Sequence, residues 1–570
     1  MADSAPVQFP QTSLKWPRFV ASPWIVLIVV ALGFFMILLD TTIVNVAIPS
    51  MIDGLHASLD QILWVLNAYI LVYAVLLITA GRLGDMWGPK KLFMAGLVIF
   101  IASSAACGLA QSPDQLILFR IIQGIGGAIL TPQSLSIITS IFPPEKRGAA
   151  FGVWGGVAGL AAATGPTLGG FLTTAFSWRA IFFVNVPIGI LAFILAWLLM
   201  PELTNHRAHR LDIIGVILAS AGLFSAIFAL IEGQRYSWGR ISNIGAFNLG
   251  SIQAGLISIP SLLVYGVILL ILFVVWEARQ DEPILPLSLF RDRNFSVANA
   301  VSAIVAFGLL GLFLPLTIFL QSVLGMTALQ AGVAFVPTSL VSMFIAPVAG
   351  RLSDKINGKY ILFAGLIFFA VGMGLVIVVA SLGATGTTFT FPLIVAGIGM
   401  GCTFAPMVTL AMRNIAPVQA GSASGFINTI RQVGGTIGSA VVGALLQNRL
   451  ATELHTQAVR FSTQLPVSFR SKFISGFSHA GKSGLQVGRG QTGSGNLPHN
   501  LPASVAHQLQ SVSSEVFRHA FLNAMKPSLA LPIAVLALGA LVTLLMRGQP
   551  SNASEERREP EPAERAAASS

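Results

Sequence analysis

Charge is scarce in this sequence: Asp, Glu, Lys and Arg make up 10% of 570 residues, while 54% are hydrophobic. Soluble domains carry roughly a quarter charged residues, so a chain this poor in charge needs lipid as its solvent. Cysteine is almost missing. Cys107 and Cys402 each lie inside an apolar run and read as small hydrophobes, which removes any disulfide or thiolate framework. The eight histidines are scattered, and no HExxH or comparable cluster occurs. That absence argues against an intramembrane hydrolase, and no metal, cofactor or enzymatic activity is expected. The net charge of +11 suits a nucleic-acid binder in principle, but the basic residues punctuate the ends of apolar runs, so no nucleic-acid partner is expected.

What the sequence has in plenty is apolar runs. Each is about 20 residues long, enough to cross a hydrocarbon core of ~30 Å at 1.5 Å per residue. The runs predict fourteen spans, at 24-48, 62-80, 92-110, 115-138, 149-171, 180-200, 211-231, 256-276, 296-320, 329-349, 360-382, 389-411, 421-446 and 528-546. The fold class is therefore an all-α polytopic membrane protein. The first run is too long for a signal h-region and lacks a small-residue cleavage pattern, so it is read as an uncleaved span. About 20 Lys and Arg fall in loops on one side against about 3 in short loops on the other, which places both termini in the cytoplasm of a cell (inner) membrane protein.

An internal repeat organises these spans. Gly81-Arg82-Leu83-Gly84-Asp85 returns as Gly350-Arg351-Leu352-Ser353-Asp354, 269 residues later. Pro144, Gly148 and Gly152 return as Pro417, Gly421 and Gly425, 273 residues later, with Gly124-Ile125-Gly126 and Gly397-Ile398-Gly399 between. Two related six-helix bundles follow, a parallel repeat of the kind that puts a transport site at the midplane interface. The expected units are a cytoplasmic segment 1-23, a first bundle 24-200, a two-helix insert 201-278, and a second bundle at 279-447 and 528-546. A long extracytoplasmic loop, 448-527, interrupts the second bundle, and a disordered cytoplasmic tail, 547-570, closes the chain. Within the loop, Gly481 to Asn496 reads as flexible linker, and Ser504 to Met525 reads as an amphipathic helix suited to the membrane surface.

Asp40 lies deep in the first span. An ionised Asp at a helix centre costs about 2.5–3.5 kcal/mol on insertion scales, so it reads as a functional group or as a satisfied structural one. Arg120, a turn and a half into the fourth span, reads either as a snorkelling anchor or as the partner of Asp40. Arg431 sits near the middle of the thirteenth span with no acidic residue in any span of its half. Backbone carbonyls, a water-filled cavity, an anionic cargo group and Asp40 all remain open as its compensation. Gly81, Asp85, Gly88 and Lys90, with Asp354 in the repeat, are the candidate cytoplasmic gate. In the fifth span Gly155, Gly159, Gly165 and Gly169 offer a face for close packing and Pro166 a bend. Helical phase offers Asn67, Tyr69 and Gln123 as cavity contacts, to which Asn45 and Arg431 are added.

Leu39 to Pro49, Gly81 to Leu92, Arg120 to Gly124, the glycines before Gly165-Pro166, Trp178 to Gly189 and Arg431 to Gly435 together resemble the fourteen-span drug:proton antiporter family of the major facilitator superfamily. The resemblance runs over nearly all of residues 24-450. It implies a proton-driven exporter of amphiphilic organic compounds, with Asp40 and Arg120 as the proton-coupling pair, Asp85 at the gate and the fifth-span glycines as an antiport motif. An endogenous metabolite, siderophore or lipid is the alternative cargo. The chain lacks the additional membrane acids of relatives that export dicationic drugs, so a dication is not expected. Its long loop exceeds the family norm and offers a contact for a periplasmic adaptor and, through it, an outer-membrane channel.

Overall fold

A computed structural model of the chain describes residues 22–202, 211–233, 258–480 and 503–547, with 235–236, 238–241, 243–244 and 247–248 between them. The expected linker at 481–496 and tail after 547 lie outside these residues. The described chain is helical apart from two-residue strands pairing Asn243–Ile244 with Phe247–Asn248.

Small polar residues and prolines set where the helices begin. Ser22 accepts from Trp24 N–H ahead of α1 (Pro23–Val46), which a short α2 (Ile48–Leu55) follows. Ser58 and Gln61 form a reciprocal capping box at α3 (Leu59–Trp87). Gly88, at φ 94°, turns the chain into α4 (Pro89–Leu109), a conformation that disfavours any side chain. Ser112 caps α5 (Pro113–Ile141); α6 (Pro144–Ala175), α7 (Ala180–Phe183) and α8 (Asn185–Leu199) complete the first half. Asp212 and Ser258 cap α9 (Ile213–Glu232) and α10 (Ile259–Glu277). The second half comprises α11 (Arg293–Ile318), α12 (Ala328–Lys355), α13 (Gly358–Val379), α14 (Thr390–Met412), α15 (Ala420–Phe461), α16 (Val467–Ala480) and α17 (Ala503–Thr543).

Twelve of the described membrane-length segments are apolar enough to span a bilayer. The other two spans are α6 and α15, 32 and 42 residues long, whose glycine and polar content dilutes their hydropathy. Both are inter-bundle helices. A Cβ on Gly148 would strike Asp354 and the Gly350 carbonyl, while at the far end Gly170 meets Leu329, so α6 follows α12 across the whole membrane. α15 follows α3 in the same way, with Gly81 against Gly421 and Gly425 against Leu77. Small residues admit this close approach, which side chains would prevent. The insert helices α9 and α10 pair with each other and dock on α3 through Leu223, Ile227 and Phe228. Their outward faces carry exposed apolar residues such as Ile213 and Val264, as lipid contact requires.

The segment before the last span departs from expectation. α15 continues past the membrane to Phe461, and the amphipathic stretch is the first half of one continuous helix, α17. Its apolar stripe, Leu509, Val512, Val516 and Ala520, is buried, as are Leu450, Leu454 and Ala458 of α15. Asn523 donates to Glu453 (3.2 Å), and the Phe461 and His519 rings lie 5.0 Å apart. The stripe has a helical partner, so it does not lie on the membrane surface.

Candidate functional site

Asp40 and Arg120 meet. Arg120 Nη1 donates to Asp40 Oδ2 at 2.5 Å, and the two residues are 1% and 0% exposed. Gln123 Nε2 and Asn185 Nδ2 both donate to Asp40 Oδ1 at 3.0 Å, so the carboxylate holds three side-chain donors from two helices. Arg120 is itself fixed: Nε donates to the Val65 carbonyl (3.2 Å), Nη1 to Gln123 Oε1 (2.8 Å), and the guanidinium lies 4.1 Å from the Tyr69 ring centroid. Asn185 also donates to Ser104 Oγ (3.1 Å), which donates to the Phe182 carbonyl (2.9 Å). A buried charge pair offsets its desolvation only when the remaining donors and acceptors are satisfied, and here nearly all are. The Tyr69 hydroxyl and Asn185 Oδ1 have no hydrogen-bond partner.

Where the last turns of α3 and α12 meet the other bundle, the two repeated aspartates reach across the bundle interface in opposite directions. Asp85, from α3, accepts from the N–H groups of Gly421 and Ser422 and from Ser422 Oγ, each at 2.8 Å, at the start of α15. Asp354, from α12, accepts from the N–H groups of Gly148 and Ala149 at 2.9 Å, at the start of α6. Each carboxylate satisfies donors that a helix N-terminus leaves free and meets its positive dipole end. Arg147 adds a third tie: it donates to the Thr139 and Phe142 carbonyls at the end of α5 and to Met412 and Arg413 at the end of α14. These contacts close this end of the bundle interface.

The glycine-rich face of α6 serves two neighbours. Gly159 backs onto the Ser339 carbonyl in α12, and Gly155 meets Phe404 of α14. Gly165 and Gly169 instead back onto Thr42 and Ile43 of α1, beside Asp40. A side chain at Gly165 would overlap Thr42 Oγ1, so this glycine sets the α1–α6 distance next to the carboxylate. Pro166 lies within the helix.

Several candidate residues stand elsewhere than expected. Tyr69 and Gln123 are buried in the Asp40 cluster and are not cavity-lining. Asn67 turns out of the bundle and donates to Glu232 of the insert (3.4 Å). Asn45 is exposed and bonds only its own helix, at the Thr41 carbonyl. Lys90 is not across the interface: it caps the end of α8, with Nζ 2.7 Å from the Met200 carbonyl and 3.3 Å from Glu202. Asp40 is not the partner of Arg431, whose Nη2 donates to Asn428 Oδ1 at 2.7 Å. Sequence reading missed Arg147, Ser422 and the role of Asn185. The Trp178–Gly189 motif held Asn185 in view, but neither Arg147, before Gly148, nor Ser422, after Gly421, carries a signal beyond its place beside a repeated glycine.

Residues 30–439 match the model of the Major Facilitator Superfamily. An uncharacterized MFS-type transporter of Mycobacterium tuberculosis is 39% identical over 434 residues, 76% of this chain and 72% of the relative. The tetracenomycin C resistance and export protein of Streptomyces glaucescens is 33% identical over 430 residues, 75% of this chain and 77% of its own. The multidrug export protein EmrB of Haemophilus influenzae is 31% identical over 445 residues, 78% and 84% of the two chains. Among solved structures, the human organic anion transporter MFSD10 superposes with a TM-score of 0.53 at 12% identity, covering 90% of this chain and all of that one, a likeness of fold.

Proposed function

Because the chain belongs to the Major Facilitator Superfamily, we propose that it is a proton-coupled exporter that carries amphiphilic organic compounds out of the cytoplasm by alternating access. The observation that carries this reading is the buried Asp40–Arg120 pair. An opposite charge favours the ionised carboxylate, and desolvation without that charge favours the neutral acid, so movement of Arg120 relative to Asp40 converts conformational change into proton uptake and release. The α1–α6 contact at Gly165 lies two residues from Asp40, and α6 also follows α12 of the second bundle, so rocking of one bundle against the other reaches that geometry through α6. Asp85 and Asp354 hold the cytoplasmic side shut while cargo leaves; breaking both opens it. Relatives named for tetracenomycin C and multidrug export support the cargo class.

The test is collapse of an imposed pH gradient in everted vesicles across a panel of lipophilic cations, weak acids and lipids. Asp40→Asn and Arg120→Ala are expected to abolish cargo-dependent collapse; wild-type collapse in both variants overturns the coupling assignment. A response confined to endogenous lipids, siderophores or metabolites keeps the mechanism and changes the cargo. The charge asymmetry of the loops supports a cell inner membrane location with both termini cytoplasmic. The helical extension of α15 to α17 is the surface we assign to a periplasmic adaptor leading to an outer-membrane channel. Photocrosslinking from exposed Val459 or Val467 that captures no such protein overturns that assignment.

A further inference from the structure

We infer that the seam between the two bundles at Arg431 binds cargo through an anionic oxygen group, a carboxylate, sulfonate or phosphate, held by that guanidinium; this rests on the exporter reading above. Within the spans Arg120 is paired with Asp40, and past the end of α9 Arg235 is paired with Glu232. Arg431 has no carboxylate within ion-pair distance among the described residues. It lies 11 residues into α15, about 16 Å from the cytoplasmic end at 1.5 Å per residue, near the middle of the bilayer.

Its neighbours orient it without neutralising it. Asn428 accepts from Nη2 at 2.7 Å, and the Tyr73 hydroxyl is within hydrogen-bonding reach. Tyr73 donates to Thr131 Oγ1 (3.1 Å), which donates to the Gly127 carbonyl (3.0 Å), so the phenol oxygen is left to face the guanidinium. These groups come from α15 in one bundle and α3 and α5 in the other. The seam that joins them is the same one that places Gly425 against Leu77 a turn and a half below. Arg431 is half-buried while Asn428 and Gly434 beside it are buried, and Tyr73 of the other bundle lies beside it at the inter-bundle seam. A guanidinium has five donors in a planar fork. Two neutral acceptors leave the remainder of that fork and the whole charge open to a ligand, and bidentate oxyanions match its geometry. With Asp40 already paired to Arg120, Arg431 leaves an unbalanced positive charge at this seam, which disfavours a cationic cargo there.

The experiment uses the detergent-solubilised full-length protein and two probes of one shape, 4-(1-pyrenyl)butanoate and its primary amide, with binding read by energy transfer from tryptophan. The wild type is expected to bind the carboxylate at least about tenfold more tightly than the amide, the range of a charge-assisted hydrogen-bonded pair. Arg431→Gln is expected to erase that preference while leaving amide affinity within about twofold, and Arg431→Lys to retain part of it. No carboxylate binding by the wild type, equal binding of both probes, or a preference that survives Arg431→Gln overturns the inference. A variant that loses both probes together overturns it too, since the residue then only maintains the fold. Proton coupling is scored separately: a carboxylate preference without proton-linked efflux refutes the coupling alone, and proton-linked efflux without the preference refutes the anion site alone.

Discussion

At the scale of single residues, Asn185 and Asn45 make a controlled comparison. Asn185 gives Asp40 one of its three side-chain donors inside a buried cluster, whereas Asn45 is exposed and bonds only its own helix. Hydrogen bonds to charged groups contribute about 1.5–3 kcal/mol, so Asn185→Ala is expected to lower thermal stability in detergent by about that amount. Asn45→Ala should leave it within about 0.5 kcal/mol, as surface substitutions do. An equal loss in both variants would contradict the cluster. Asp40 and Arg120 were legible in the sequence because an ionised group in a membrane helix demands a partner. Tyr69 and Gln123 were picked for the wrong environment: helical phase identifies the inward face of a span, but not whether that face meets cavity or another side chain. Ser422 was illegible because its function depends on which helix end lies opposite Asp85.

Helices carry the proposed gate. Asp85 accepts three hydrogen bonds at the start of α15 and is buried, while Asp354 accepts two at the start of α6 and is half-buried. Asp85→Asn should therefore loosen the cytoplasmic closure more than Asp354→Asn. In a background lacking Cys107 and Cys402, a cysteine replacing buried Ser424, just above the Asp85 clasp, is expected to react with cytoplasmic maleimide several-fold faster in the Asp85 variant, as population shifts toward the open state. Equal labelling in both variants and the parent would remove the clasp from the mechanism. The repeat of Gly81–Asp85 at Gly350–Asp354 made two equivalent inter-bundle contacts legible, since nearly one offset relates all three repeated motifs. Their partners were not, because a clasp between sequence-distant helices leaves no local pattern. Lys90 shows the same limit: its positive charge was evident, but the α8 carbonyl it caps belongs to packing.

For the whole molecule, α17 packs against α11, α13 and α15, and Arg518 donates to the Leu382 carbonyl at the end of α13 (3.1 Å). A protease site introduced between 481 and 502, once cut, is expected to leave residues 503–570 copurifying with the rest and transport intact. Separation of the fragments would show that covalent continuity, and not burial of the Leu509–Ala520 stripe, holds the last helix in place. Spans and their order were readable from hydropathy, whereas the extension was mistaken for a loop and a surface helix because an amphipathic stripe does not say what covers it. α15 also has a mechanical meaning. No proline is found inside it, and at 42 residues it measures about 63 Å, with the Asp85 clasp at its foot, Arg431 part-way up and its tip beyond the membrane. It is a lever: a tilt of about 10° pivoting at the clasp sweeps the tip through about 11 Å at that length. A fluorophore placed near Phe461 thus becomes a remote pointer, reporting the state of the Asp85 clasp from the far end of the helix.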